Sequence, residues 1–420
     1  MSLTRLSVAE ASRHTLAGLA PLPEESVVLR ESLGRVLARD VVSPVSLPPW
    51  DNASMDGFAV IADDVRGASP NTPVRLRVVE TIAAGARSTR VIARGEAARI
   101  MTGAPVPAGV DSVVRVEDSE PQGDHVDIRD DRDAASNIRL AGEDVRVGVT
   151  VLRAGTTIGA AQLGVLASVG CATPWVHRKP RVAILATGDE LVMLDAFEEV
   201  LAGHRIVSSN SYSLEAAVSA AGGVPVSLGI APDDPHALAE CLRAAAGCDM
   251  ILTSGGVSVG DFDYTRRVVE ELGGTLSLWR VRMRPGAPIG FGQLFDAPWL
   301  GLPGNPVSAL VTFELFGRPV LRMLAGSVRP HRRTVRVVLD EPVLLRAPLT
   351  HYLRCTLHDD DDGTLRARLT GSQSSGMLTS MSSADALLVV PPEPASVPAG
   401  TVLRALPLDG DLGGATVAPS

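Results

Sequence analysis

Apolar and polar positions run along this chain in three successive rhythms, and the changes of rhythm divide it. Near the amino terminus Val8, Leu16 and Leu19 stand among alanines and polar residues at helical spacing over residues 5–20, and Pro21 and Pro23 end that helix. A second helix is expected over 26–38, with Val27, Val28, Leu33, Val36 and Leu37 as its apolar set. A proline-punctuated crossing at 44–50 leads into short strand patterns at 74–79, 98–101 and 112–116, separated by turns. The acidic run 118–133 reads as a solvated hairpin or loop, and a short helix is expected over 159–168.

From Arg181 the rhythm becomes strand alternating with helix. Strands are expected at 182–185, 224–228 and 250–253, and helices at 210–221, from Asp234-Pro235 onward, and at 264–272. Such alternation predicts a parallel sheet covered by helices on both faces, with ligands bound beyond the carboxyl ends of its strands. After Arg333 the pattern returns to strands, at 335–339, 352–357, 365–369 and 386–390, which fit a small β-barrel or sandwich. From Asp409 the residues are small and polar, as in a frayed tail.

Composition narrows the class. A chain of 420 residues exceeds one ordinary domain. With only 3% aromatic residues, its cores must be built from Val, Leu, Ile and Ala. The formal charge of -9 argues against nucleic acid as the main partner. Cys171, Cys241, Cys248 and Cys355 are scattered without ligand spacing and read as buried small hydrophobes. With no signal-peptide pattern and no long apolar run, the expected location is the cytoplasm, away from membranes. No HExxH string occurs.

Four loops of the α/β segment concentrate chemistry. Thr187-Gly188-Asp189-Glu190 offers carboxylates to a metal or hydroxyl, or is a solvated acidic turn. Ser254-Gly255-Gly256-Val257-Ser258 offers backbone N–H groups and hydroxyls to an anion, and Asp263 nearby could simply cap a helix. Pro303-Gly304-Asn305-Pro306-Val307-Ser308 is a stiff turn into a helix, where Ser308 sits near the amino end. In an extended strand Arg280, Arg282 and Arg284 share one side, so they repel unless an anion or acids answer them.

Taken together the chain resembles the molybdopterin molybdenumtransferase family, the bacterial MoeA-like enzymes whose relatives include the E domain of gephyrin. The strings that carry the resemblance are PPWDNASMDGFAV at 48–60, RIMTGAPVPAGVD at 99–111, ATGDEL at 186–191, APDDPHAL at 231–238, TSGGVSVGDFD at 253–263, MRPGAP at 283–288 and GLPGNPVSA at 301–309. The segment GSQSSGMLTSMSSAD at 371–385 follows in the same order.

The resemblance implies insertion of molybdate into adenylylated molybdopterin, with AMP released and Mg²⁺ assisting. It implies that Asp56, Thr102, Glu190, Asp233 and Asp263 line the site, with Glu190, Asp233 and Asp263 toward Mg²⁺. Gly188, Ser254, Gly255, Gly256, Ser258, Arg280, Arg284, Pro303, Gly304, Asn305 and Ser308 are its substrate and oxyanion residues. It further implies a homodimer whose partner subunit supplies Asp56 and Thr102, and transient contact with other proteins of cofactor biosynthesis. The implied architecture has a split extended N-terminal domain at 1–50 and 142–178, and a β-rich domain at 51–141. A three-layer αβα molybdopterin-binding domain follows at 179–328, then a C-terminal β-barrel at 329–408 and a flexible tail at 409–420. Family members commonly carry lysine where this chain has Arg280, Arg284 and Ala287, so a planar fork replaces a compact ammonium at two positions. The competing readings are an adenylyltransferase with a related α/β domain, a nucleotide-dependent enzyme of another cofactor pathway, and a non-enzymatic scaffold. The upstream strings and the barrel disfavour the first, and the retained carboxylates disfavour the last.

Overall fold

The computed structural model describes residues 4–256, 259–345, 347–393 and 395–408, with side chains at all of these except 259–263 and 278. The 409–420 tail therefore lies outside the described residues. Two compact units result, one from Met1–Ala38, Gly155–Gly159 and Pro174–Ser420, the other from Arg39–Ala154 and Ala160–Thr173.

The first unit opens with the expected helix, Val8–Leu16, set by a capping box in which Ser7 accepts from the Glu10 N–H and Glu10 accepts from the Ser7 N–H. The second helix does not form. Glu24–Ser26 is instead a strand paired with Trp175–His177, and only a 3₁₀ turn, Leu29–Ser32, interrupts the extended chain. Val28 and Leu33 are exposed, whereas the adjacent Val36 and Leu37 are both buried by bridging to Thr157 and Val176. A helix would turn adjacent residues to different faces. An extended segment held between two partners buries both.

The centre of this unit is a seven-stranded sheet in the order Thr4–Leu6, Thr275–Val281, Pro288–Leu294, Ala297–Leu302, Met250–Ser254, Arg181–Thr187, Val224–Ala231. It is mixed, not purely parallel: Pro288–Leu294 runs against both neighbours, and the other six strands share one direction. Alternation assigns its two faces. Val182 and Ile184 pack with Leu214, Val218, Phe313 and Phe316, under the helices Ser209–Ala220 and Pro306–Thr312. Ala183 and Leu185 pack with Leu238, Leu242, Val268 and Val269, under Pro235–Arg243 and Val259–Glu271. Three layers result.

Toward the carboxyl terminus, Thr350–Asp359, Leu365–Leu369, Val335–Leu339, Val402–Pro407 and Ala386–Val390 pair in turn. The last strand pairs again with the first, which closes a five-stranded barrel. Met283–Arg284 adds to the barrel by pairing in parallel with Thr350 and His351.

The second unit holds a six-stranded sheet, Ser112–Arg115, Gly57–Val60, Glu96–Ile100, Val74–Ile82, His125–Ile128, Ser119–Gln122. The acidic run forms a hairpin there, but its acids are not all solvated. Asp118, Asp127 and Asp133 are buried. Arg132 donates to Asp118, Arg75 forks onto Asp127 at 2.7 and 2.8 Å, and Arg115 forks onto Asp133 at 2.8 and 2.9 Å. Arginines replace water around these carboxylates, and their planar forks match carboxylate geometry.

Candidate functional site

Because six strands of the mixed sheet run the same way, their carboxyl ends fall on one edge, at Leu6, Val281, Leu302, Ser254, Thr187 and Ala231. All four chemistry-bearing loops read from the sequence leave from this edge, as does Asp233. With strands about 4.8 Å apart, the line from the Val281 strand to the Ala231 strand is about 24 Å long.

At its acidic end the Asp233 N–H donates to Asp189 at 3.1 Å, which ties the loop after Arg181–Thr187 to the loop after Val224–Ala231. The Glu190 carboxylate folds back over Gly188, whose φ of +143° favours glycine. Tyr264, on the helix Val259–Glu271, reports the local field: burial first, then the charges of Asp234, Asp233 and Asp189, push its phenol up to about 12. These are hard oxygen donors in a negative field, the chemistry a small divalent cation requires. Among the described residues no three such side chains close a ready metal cage. The side chain of Asp263 lies outside the described residues.

In the middle of the edge the two glycine loops touch. Gly255 has φ +99°, and a Cβ there would stand 2.7 Å from the Thr187 hydroxyl, so only glycine fits. Its N–H donates to the Leu302 carbonyl at 3.1 Å, and Gly304 faces the Gly255 Cα. Asn210 joins the same loops, donating to Ser254 Oγ at 2.6 Å and to the Gly304 carbonyl at 2.8 Å. Ser258 lies outside the described residues.

At the basic end Arg280, Arg282 and Arg284 are exposed and alternate with buried Trp279, Val281 and Met283, but they do not lie on one strand: the sheet strand ends at Val281, the chain bends at Arg282, and Met283–Arg284 pairs with the barrel. Arg5 stands beside Arg280 in parallel register. Among the described residues no ion pair involves any of these four, which are exposed to solvent. Arg284 also lines a cavity of about 770 Å³ with Pro303, Asn305, Ser308 and Arg354. Ser308 is buried against it, and the first N–H of its helix is already taken, donated by Val307 to the Ser375 carbonyl at 3.1 Å. Arg280 is not part of the cavity wall.

Arg354 went unnoticed in the sequence, where it is one arginine among many. It is fully buried and donates only to neutral acceptors: the carbonyls of Ser372, Gln373 and Ser374 at 3.0, 3.2 and 3.0 Å, and Ser380 Oγ at 3.1 Å. Burial pushes its guanidinium pKa down. Four neutral acceptors satisfy its N–H groups while its charge stays buried beside the cavity.

Asp56 and Thr102 belong to the second unit and pair with each other. The Thr102 N–H and hydroxyl both donate to one Asp56 oxygen, at 2.7 and 2.6 Å, and these bonds hold the Asp56 carboxyl below its usual range. The pairing follows from register: Gly57 sits opposite Ile100 and Arg115 between two antiparallel neighbours. A Cβ at Gly57 would stand 2.0 Å from the Val114 carbonyl oxygen.

Comparison with known proteins follows the same segments. Three family models match in order: the MoeA N-terminal region (domain I and II) over residues 6–170, a probable molybdopterin binding domain over 183–323, and the MoeA C-terminal region (domain IV) over 336–408. A protein of Nostoc sp. named molybdopterin molybdenumtransferase is 38% identical over 87% of this chain and 85% of its own length. Molybdopterin molybdenumtransferase 2 of Mycobacterium tuberculosis is 40% identical over 90% of this chain and 94% of its own. The crystal structure of the molybdopterin biosynthesis moeA protein from Pyrococcus horikoshii OT3 superposes with a TM-score of 0.81 at 28% identity. That match covers 96% of this chain and all of the other. On matches running from residue 6 to residue 408, the chain belongs to the MoeA family, that of the molybdopterin molybdenumtransferases.

Proposed function

We propose that this chain is a molybdopterin molybdenumtransferase of molybdenum cofactor biosynthesis, which inserts molybdate into adenylylated molybdopterin and releases AMP. The observation that carries the reading is the polarity of the carboxyl edge: unanswered arginines at one end, glycine loops in the middle, carboxylates at the other. An elongated substrate with a pterin at one end, adenosine at the other and a pyrophosphate between them fits such an edge.

On this reading Arg280, Arg284 and the buried Arg354 attract the molybdate dianion, with Pro303, Asn305 and Ser308 shaping the cavity beside it. Ser254 and Ser258 bring hydroxyls and Gly256 and Gly304 backbone N–H groups to the phosphates, while Gly188 and Gly255, whose N–H groups donate to the Ala231 and Leu302 carbonyls, shape the loops around them. Glu190, Asp233 and Asp263 would hold Mg²⁺, which when bound neutralises charge on the phosphate oxygens as the anhydride bond breaks. Asp56, kept ionised by Thr102, offers an acceptor from the other subunit of a homodimer. We place the reaction in the cytoplasm, with transient contacts to other proteins of the pathway. No helix among the described residues is long and apolar enough to cross a membrane.

Reconstitution tests this directly. Purified protein with adenylylated molybdopterin, Mg²⁺ and micromolar molybdate should release AMP in step with molybdenum appearing on the pterin, and none without molybdate. Tight binding of the adenylylated pterin without turnover, under molybdate or tungstate, would make the chain a carrier instead.

A further inference from the structure

The two glycine loops at the middle of the carboxyl edge come from strands distant in sequence, yet one side chain holds both. Asn210 enters from the first turn of the helix Ser209–Ala220 and is 8% exposed. Both of its amide donations are spent there, one on Ser254 Oγ at 2.6 Å and one on the Gly304 carbonyl at 2.8 Å. The bond to a carbonyl fixes which end of the amide is the nitrogen. The other end, Oδ1, is buried and has no hydrogen-bond partner among the described residues.

That idle oxygen is informative. A buried acceptor without a partner is destabilising, and an apolar side chain would fill the same space without the penalty. The side chain therefore serves through its two donated bonds, not through its own satisfaction. Those bonds cross between loops that are also joined by the Gly255 N–H on the Leu302 carbonyl.

We infer that Asn210 is a positioning residue, which fixes the separation of the Ser254 and Gly304 loops so that one phosphate-bearing ligand engages both. The inference rests on the function proposed above for its kinetic consequence, and on geometry alone for its structural one. Shifting either loop by about 1 Å is enough to cost on the order of 100-fold in rate. AMP carries a single phosphate where the substrate carries a pyrophosphate, so on this reading it meets one loop and its affinity does not require the two to be in register.

The test compares wild type with Asn210→Ala and with the isosteric Asn210→Asp, which turns an acceptor toward the Gly304 carbonyl. Both should keep the wild-type circular dichroism and AMP affinity within about threefold, while kcat falls on the order of 100-fold. Hydrogen exchange should accelerate in peptides 250–256 and 300–306 only. A folded variant with wild-type kcat and unchanged exchange overturns the inference. So does an activity loss that merely tracks loss of AMP binding, the mark of a general structural role. Should Asn210→Ala not fold, Asn210→Asp decides. If wild type itself shows no turnover, the proposed function fails, and unchanged loop exchange in the variants is then what sinks the positioning role.

Discussion

At the scale of single residues, charge matters here through what answers it. Asp56 and Thr102 lie 46 positions apart in sequence, and motif reading names both without revealing that they bond. The bond requires the antiparallel register of Gly57 with Ile100, a fact about pairing which no local string carries. Asp56→Asn leaves the shape and takes away the carboxylate that accepts from Thr102. Because Asp56 is exposed, the melting temperature should not move, whereas turnover should fall at least tenfold in a steady-state assay. Arg354 and Asn210 were invisible for a different reason: their types are common, and only burial makes them significant. Arg354→Lys keeps the charge but cannot reach four acceptors with one ammonium. Thermal denaturation should show a loss of about 3 kcal/mol from the stranded carbonyls, and the KM for molybdate should rise about tenfold, worth about 1.4 kcal/mol.

At the scale of elements, periodicity located most helices and strands but misjudged where context outweighs pattern. The sheet is mixed because Pro288–Leu294 and Ala297–Leu302 form a hairpin, turned by Phe295 and Asp296 at φ +53° and +62°. Such turns are usually signalled by Asn-Gly. Here neither residue announces one. Buried ion pairs set the elements' tolerance of change. Glu314 lies in the π-helical turn Phe313–Gly317, bonded to Arg332 at 2.6 Å and near Arg318 at 3.7 Å. Burial outweighs both arginines and raises its pKa. Glu314→Gln would strand two cations, and chemical denaturation should report a loss of about 3–5 kcal/mol. In the second unit the Arg115 fork depresses the Asp133 pKa. Its contribution is therefore complete above the unfolded Asp value, about 3.9, and disappears as pH falls through the lower folded value. Melting of wild type should be flat from neutral pH to about 5 and weaken below about 4. Asp133→Asn should be about 3 kcal/mol less stable at neutral pH and lose part of that acid dependence.

At the scale of the whole molecule, the order of strings along the chain identified the family, and the seven-stranded sheet explains why those between 186 and 309 belong together. Segments far apart in sequence emerge on one edge because six of seven strands share a direction. An overall charge of -9 conceals this edge, since its arginines are outnumbered elsewhere by acids. The central claim is a division of labour along the edge, and the kinetic split between Arg284→Ala and Glu190→Ala tests it most directly. AMP release would be followed at rising molybdate in both variants. The account predicts that Arg284→Ala approaches the wild-type rate at saturating molybdate, with only KM raised, while Glu190→Ala stays slow at every concentration. Equal rescue of both variants by molybdate, or rescue of neither, would contradict it.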